Sequence, residues 1–189
     1  MDDIIKFDTV TQAFGIQRKQ MICCGEGLGA MVAEMKNPKV LEIGCDIGHT
    51  TQFLLDSNPS LELVGVDPYV NYIDWNGNNL NEREDIHNKF VERLKGYTNR
   101  FSLYRQYSDD MFHLLEDETF DLIFIDGLHT YDQLTKDCNN FYSKLKEGGI
   151  FSGHDYNAIP GVHQAANEFA AKVGREIHIT EHDVWYWVK

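Results

Sequence analysis

The chain has 189 residues, 42% hydrophobic and 25% charged, which is enough for one domain with a substantial core. Lys and Arg number 17 against 30 Asp and Glu, so the net charge of −13 argues against a broad basic face for nucleic acid or an anionic membrane. No run approaches the roughly 18 apolar residues of a membrane span, the start Met1-Asp2-Asp3 lacks the layout of a signal peptide, and Cys23, Cys24, Cys45 and Cys138, without C-x-x-C spacing, read as reduced thiols, so the expectation is a cytoplasmic protein.

Residues 9–36 carry a helical apolar face of Phe14, Met21, Leu28, Met31, Val32 and Met35, and Gly25, Gly27 and Gly29 suggest two helices joined near 25–29. Cys23 and Cys24 fall there and read as small buried hydrophobes. Strands and helices then alternate. Val40–Ile43 is a strand, Thr50–Ser57 a short helix stopped by Asn58-Pro59, and Leu61–Val66 a second strand. Tyr69–Glu84 is the longest irregular segment, and its Tyr69, Tyr72 and Trp75 suggest a lid or an interface. Asp85–Gly96 is a helix with Asp85 as N-cap. Phe101–Gln106 is a strand, Asp109–Leu115 a short helix, Phe120–Ile125 a nearly continuous apolar strand, and Tyr131–Leu145 a helix ended by Gly148-Gly149. A fifth strand begins at Ile150–Ser152, Pro160–Val173 is a helix, and Glu176–Thr180 and Val184–Val188 form a closing hairpin. We expect one domain over 1–189, with an N-terminal helical segment (1–36) and a core (37–189).

This alternation of near-continuous apolar strands with helices implies an α/β fold: a mostly parallel sheet with helices on both faces and an antiparallel strand at one edge. Ligands in such sheets bind outside the carboxyl ends of the strands. That rule gathers Gly44–Gly48, Asp67, Ser108, Asp126–His129 and His154–Tyr156 at one rim.

The most informative stretch is Val40-Leu41-Glu42-Ile43-Gly44-Cys45-Asp46-Ile47-Gly48, a strand that breaks into a Gly-x-x-x-Gly turn and opens a helix. Such a turn leaves room for a ligand against bare backbone, and the helix N-terminus adds donors. Asp67, at the end of the next strand, is placed to accept from ribose hydroxyls, as in dinucleotide folds. The spacing is not the G-x-G-x-x-G of nicotinamide enzymes, and no Tyr-x-x-x-Lys or P-loop exists in the chain.

Leu41-Glu42-Ile43-Gly44-Cys45-Asp46-Ile47-Gly48 and Val64-Gly65-Val66-Asp67 resemble the first two motifs of class I S-adenosylmethionine-dependent methyltransferases. Asp121–Tyr131 and Gly148–Tyr156 resemble a group of small-molecule O-methyltransferases, the macrocin type and more distantly the catechol type. The resemblance runs in order over residues 25–189 and implies a Rossmann-like seven-stranded sheet with a reversed last strand. It implies that Glu42, Gly44, Asp46, Gly48, Asp67, Ser108, Asp109 and Asp126 bind the cofactor, Ser108 and Asp109 at the adenine edge. Those two also fit as simple helix caps.

Methyl transfer from a sulfonium needs an aligned acceptor that loses a proton. Enzymes of this resemblance often use an acid after the fourth strand and two ligands after the fifth; by position these are Asp126, His154 and Asp155, a set suited to Mg²⁺ or Mn²⁺. His154-Asp155-Tyr156 departs from the Asp-Asn or paired acids usual there. A metal-free version makes His154 or His129 the general base, oriented by Asp155 or Asp126. The expectation is O-methylation of a small polar molecule, with no nucleic-acid or membrane partner and with a homodimer compatible with the early helices. A non-catalytic module that binds S-adenosylmethionine or S-adenosylhomocysteine is the second reading, and a nicotinamide oxidoreductase a distant third.

Overall fold

The computed structural model describes residues 24–189. The expectations for helix before residue 24, and for Cys23, fall outside the described residues. Helix α1 (Gly25–Val32) leads into strand β1 (Lys39–Ile43), helix α2 (His49–Ser57) and strand β2 (Glu62–Val66). A small hairpin, β3 (Tyr72–Ile73) and β4 (Asn79–Leu80), precedes α3 (Arg83–Leu94), β5 (Phe101–Tyr104) and the single turn α4 (Ser108–Met111). Then come β6 (Phe120–Ile125), α5 (Tyr131–Phe141), β7 (Leu145–Gly153), α6 (Pro160–Val173), β8 (His178–Ile179) and β9 (Trp185–Val188).

Seven strands form one sheet in the order β5-β2-β1-β6-β7-β9-β8, and β3 with β4 form a separate ribbon. β1 runs parallel to β2 and β6, β2 to β5, and β6 to β7, while β9 runs antiparallel to both of its neighbours. The expected sheet and its reversed last strand are therefore present. Alternate side chains of each central strand enter opposite layers. Leu41, Ile43, Ile123, Ile125 and Phe151 pack with α5 and α6 through Leu134, Phe141, Ala166 and Phe169. Val40, Leu63, Leu122 and Phe124 pack with α1, α2 and α3 through Leu28, Leu54 and Phe90.

Several elements differ from the sequence reading, each for a local reason. Gly25, Gly27 and Gly29 do not form a break but lie within α1. A Cβ at Gly29 would come within 2.8 Å of the Phe53 ring and collide with Ser57, so glycine there serves close helix packing that outweighs its poor propensity. Tyr69–Glu84 is not wholly irregular, because Asp74 accepts from the backbone N–H of Asn76 (2.9 Å) and Asn78 (2.8 Å) and turns the β3–β4 hairpin. Asp85 is not the cap of α3. Its N-cap is Glu82 in the left-handed region (φ 61°), and Arg83 opens the helix with its N–H donated to Asn71 Oδ1. α5 stops at Phe141, and Gly148-Gly149 lie inside β7, where the register against β6 shifts. Gly148 N–H and Gly149 C=O are taken up by the Lys189 backbone there.

Candidate functional site

The carboxyl ends of β1, β2 and β6, with the segments that follow them and β5, surround a cavity of about 490 Å³. Gly44, Asp46, Asp67, Ser108, Asp109 and Asp126 of the expected cofactor set line it. Gly44 (φ 86°) could carry no side chain, since a Cβ would strike the Asp126 carbonyl. The turn is thereby pressed onto the end of β6, where Asp126 N–H donates to Ile43 O at 2.7 Å. Asp67 is 5% exposed, and its carboxylate accepts from the N–H groups of Cys45 and Asp46 (both 3.1 Å) and Tyr69 (2.9 Å).

Glu42 and Gly48 do not line the cavity. Glu42 points from β1 into the α1–α3 layer, fully buried, where it accepts a 2.6 Å hydrogen bond from Thr51 Oγ1. Among the described residues its Oε1 has no partner, and burial pushes its carboxyl up to about 8. Gly48 turns the chain into α2 against Phe90, away from the cavity. Ser108 and Asp109 do not act as caps of α4, whose N-cap is Tyr107 without a side-chain bond. Both instead accept from Gln133 Nε2, at 3.2 and 3.1 Å, as does Asp137 at 3.2 Å.

Three residues, Gln133, Asp137 and Arg83, carry the cavity wall in ways the sequence reading did not anticipate. Gln133 and Asp137 line it from α5; Asp137 is 1% exposed, and burial pushes its carboxyl up to about 6. Its signal was available: Leu134, Asp137, Cys138 and Phe141 share one helical stripe, and three of the four are apolar. Arg83, also buried, reaches from the start of α3 to Asp46 Oδ1 (2.6 Å) and Asp67 Oδ2 (3.5 Å). In the sequence it falls inside Tyr69–Glu84, read as irregular, where no local pattern marks it as a site residue. Leu128 supplies an apolar face from the loop after β6.

At one end of the cavity the structure brings Asp126, His154 and Asp155 together and adds His129. His129 Nε2 lies 3.0 Å from Asp126 Oδ1 and 3.1 Å from Asp155 Oδ2. His154 Nδ1 lies 3.6 Å from Asp126 and 3.3 Å from Asp155. His154 Nε2 faces the backbone carbonyl of His182 at 3.1 Å, which can only accept, so Nε2 carries a proton, and Nδ1 is turned to the carboxylates, which hold a second proton there when the ring is charged. Burial pulls His154 down, but hydrogen bonding to Asp126 and the charges of Asp126 and Asp155 outweigh it and hold the ring up at about 9. Burial likewise raises Asp126, and the two histidines bring it below the ordinary carboxylate value. Asp126 and His129 line the cavity, whereas His154 and Asp155 stand behind them. Asp155 has a left-handed backbone (φ 59°). Among the described residues no helix is long and apolar enough to cross a membrane.

A family model described as a methyltransferase domain matches residues 41–156. An uncharacterized protein of Acanthamoeba polyphaga mimivirus, R132, is 28% identical over 141 residues, covering 70% of this chain and 59% of that protein. The chain thus spans about three-fifths of the length of that relative. A caffeoyl-CoA O-methyltransferase candidate from Staphylococcus aureus has the same fold, with a TM-score of 0.66 at 13% identity, covering 97% of this chain and 92% of the other. The S-adenosylhomocysteine-bound methyltransferase PaMTH1 of Podospora anserina aligns with a TM-score of 0.61 at 18% identity, over 86% of this chain and 76% of its own.

Proposed function

The chain belongs to the methyltransferase-domain family matched over residues 41–156, and on that premise we propose that it transfers a methyl group from S-adenosylmethionine to a hydroxyl of a small polar molecule, with a divalent cation at the acceptor end. The observation that carries this reading is the adjacency of two unlike features. A glycine turn with a buried acid, Asp67, and a cluster of two carboxylates and two imidazoles share one residue, Asp126.

The residues present fit the cofactor. A cavity of about 490 Å³ is within the range of small-molecule sites. Asp67 would hold the ribose hydroxyls; the wall of Ser108, Asp109, Gln133 and Asp137 would take the adenine; Asp46 and Gly44 would face the amino-acid end. When bound, S-adenosylmethionine supplies an electrophilic methyl group. The donor chemistry at Asp126 and His154, with Asp155 3.3 Å from the same ring nitrogen, would suit a divalent cation that displaces the proton on His154 Nδ1, while Nε2 keeps its proton on a carbonyl, the usual arrangement of a metal-binding imidazole. Such a cation supplies Lewis acidity that makes the acceptor hydroxyl easier to ionise.

The rest falls to the chain itself. His129 lines the cavity with its Nε2 held between Asp126 and Asp155, so the ring is fixed and Nδ1 is left to take a proton from the acceptor. His154 has both ring nitrogens engaged and serves as a ligand and brace. Val70, Tyr72, Leu80 and Arg83 from the segment after β2 wall the cavity without filling it. An open cavity behind such a wall supports turnover over the alternative of a non-catalytic binding module.

Calorimetry with S-adenosylmethionine and S-adenosylhomocysteine is the direct test. Binding of both is expected, and no heat from either at millimolar concentration overturns the reading. Chelation is expected to stop turnover of hydroxyl acceptors and leave cofactor binding intact; turnover that survives the chelator replaces the cation with His129 alone.

A further inference from the structure

The sequence gives no reason to place Cys24 near the site, since it reads as a small apolar residue ahead of a helix. In the structure it precedes α1 and is 8% exposed, with Sγ 3.0 Å from Thr50 Oγ1 in the first turn of α2. Its sulfur, a carboxylate oxygen of Asp126 and a ring nitrogen of His154 all lie within 4.8 Å of one another. Donors bound tetrahedrally at about 2.0–2.3 Å from a zinc ion stand roughly 3.3–3.8 Å apart. The three atoms therefore reach a common ion by inward shifts of about an ångström or less.

The placement of Cys24 is tied to the orientation of His154. The loop of His182, whose carbonyl holds His154 Nε2, also anchors α1: His182 Nε2 lies 3.3 Å from Glu26 Oε2. Gly27 packs on Thr180 in the same loop, where an added Cβ would come within 3.3 Å of Thr180 Cγ2. One loop thus sets both the imidazole and the helix that carries the thiol.

We infer that Cys24 is a thiolate ligand of the cation held by Asp126 and His154, and that the site takes a thiophilic first-row divalent ion, Zn²⁺ as the representative, in preference to Mg²⁺. The inference rests on the divalent-cation reading above and narrows it. On binding, the Cys24 S–H bond breaks and its proton goes to solvent, an Sγ–metal bond forms, and no oxidation state changes. The Thr50 hydroxyl then donates to the sulfur. Mg²⁺ requires near-octahedral oxygen coordination and keeps its waters. A set of one sulfur, one nitrogen and carboxylate oxygen follows the opposite preference.

The test is optical, on the full chain loaded with Co²⁺ as a zinc surrogate. The expected spectrum has visible ligand-field bands and a near-ultraviolet thiolate-to-cobalt charge-transfer band. Zn²⁺ displaces the cobalt and excess Mg²⁺ does not. In Cys24→Ser, with Cys23 left in place, the charge-transfer band is lost while the ligand-field bands persist, and Zn²⁺ affinity falls about tenfold or more, a loss of the size seen when a metal site loses one support. A second measurement needs no variant: Zn²⁺ protects Cys24 from alkylation, mapped by peptide mass spectrometry, and Mg²⁺ does not. Cobalt bound without a charge-transfer band in the unaltered protein, or with Cys24 still alkylated, overturns the thiolate and leaves the cation reading standing. No cobalt bound at all overturns both.

Discussion

Replacing Glu42 by Gln should stabilise the protein at neutral pH. The side chain is fully buried near the end of β1, with one oxygen bonded to Thr51 and the other without a partner among the described residues. Burial raises its carboxyl from 4.5 to about 8. Between those values the folded state holds a proton that the unfolded chain has released, so stability falls as pH rises through this window and levels off above the folded value. At pH 7 the loss is about 3 kcal/mol, from roughly 2.5 pH intervals at about 1.4 kcal/mol each. Gln keeps an acceptor for Thr51 Oγ1 and cannot ionise. Its amide nitrogen would lie where Oε1 has no partner, which returns about 1 kcal/mol. The net expectation is a gain of about 2 kcal/mol at pH 7, larger at pH 8 and gone near pH 5. Urea melts of both proteins at pH 5, 7 and 8 measure it. Parallel pH profiles for the two proteins would refute the buried-acid argument. The same variant reports on the cofactor. Glu42 lies beneath the turn and outside the cavity, so the Kd for S-adenosylhomocysteine should change less than about threefold; a loss beyond tenfold, about 1.4 kcal/mol, puts Glu42 in the site.

Gly44→Ala and Gly77→Ala form a matched pair, because both glycines have positive φ (86° and 83°) but only Gly44 is hemmed in. Gly77→Ala should cost about 1 kcal/mol, and Gly44→Ala about 3 kcal/mol or more together with cofactor binding; equal shifts in Tm would remove the close-approach argument. Asp67→Asn loses the charge that three N–H groups and Arg83 address. Its Kd for S-adenosylhomocysteine should rise by about tenfold or more, read by calorimetry, and an unchanged Kd excludes ribose contact. Asp137→Asn should weaken S-adenosylhomocysteine and spare the analogue with an oxo group in place of the adenine amine; equal weakening of both assigns Asp137 to structure alone.

The strands were readable because their apolar runs are long and their ends are marked by glycine, aspartate and proline. Strands Val40–Ile43 and Phe120–Ile125, and the helix Pro160–Val173, stand almost where the pattern puts them. The misses share one cause, in which a distant contact outweighs a local signal. Gly29 is helical because Phe53 and Ser57 need its space, and α3 opens at Arg83 rather than Asp85, with its first side chain tied to Asp46 and Asp67. The rim acids were legible because the end of a parallel strand is a fixed address. Gln133 and Asp137 come from α5 and Cys24 from the residue ahead of α1, and only the three-dimensional packing of those helices brings them near Asp126.

Asp126 explains why the two halves of the site sit where they do. Its N–H is fixed to Ile43 O, and its carbonyl blocks any side chain at Gly44. The backbone of Asp126 and the glycine turn can therefore move only together. Its carboxylate is held at the same time by His129 and faces His154, which is braced by the loop at His182. A displacement of the turn is thereby passed to the proton-accepting end through a single residue, with no flexible link between. Displacement at a sulfonium methyl needs donor and acceptor aligned within a fraction of an ångström, and a misplacement near 1 Å can cost about a hundredfold in rate. On the proposed reaction, a residue that shares its backbone with the glycine turn and its side chain with the carboxylate–imidazole cluster would supply that alignment. Substitutions at Gly44 should accordingly depress turnover even at saturating cofactor, while substitutions at Asp67, which touches only the donor side, should act through binding.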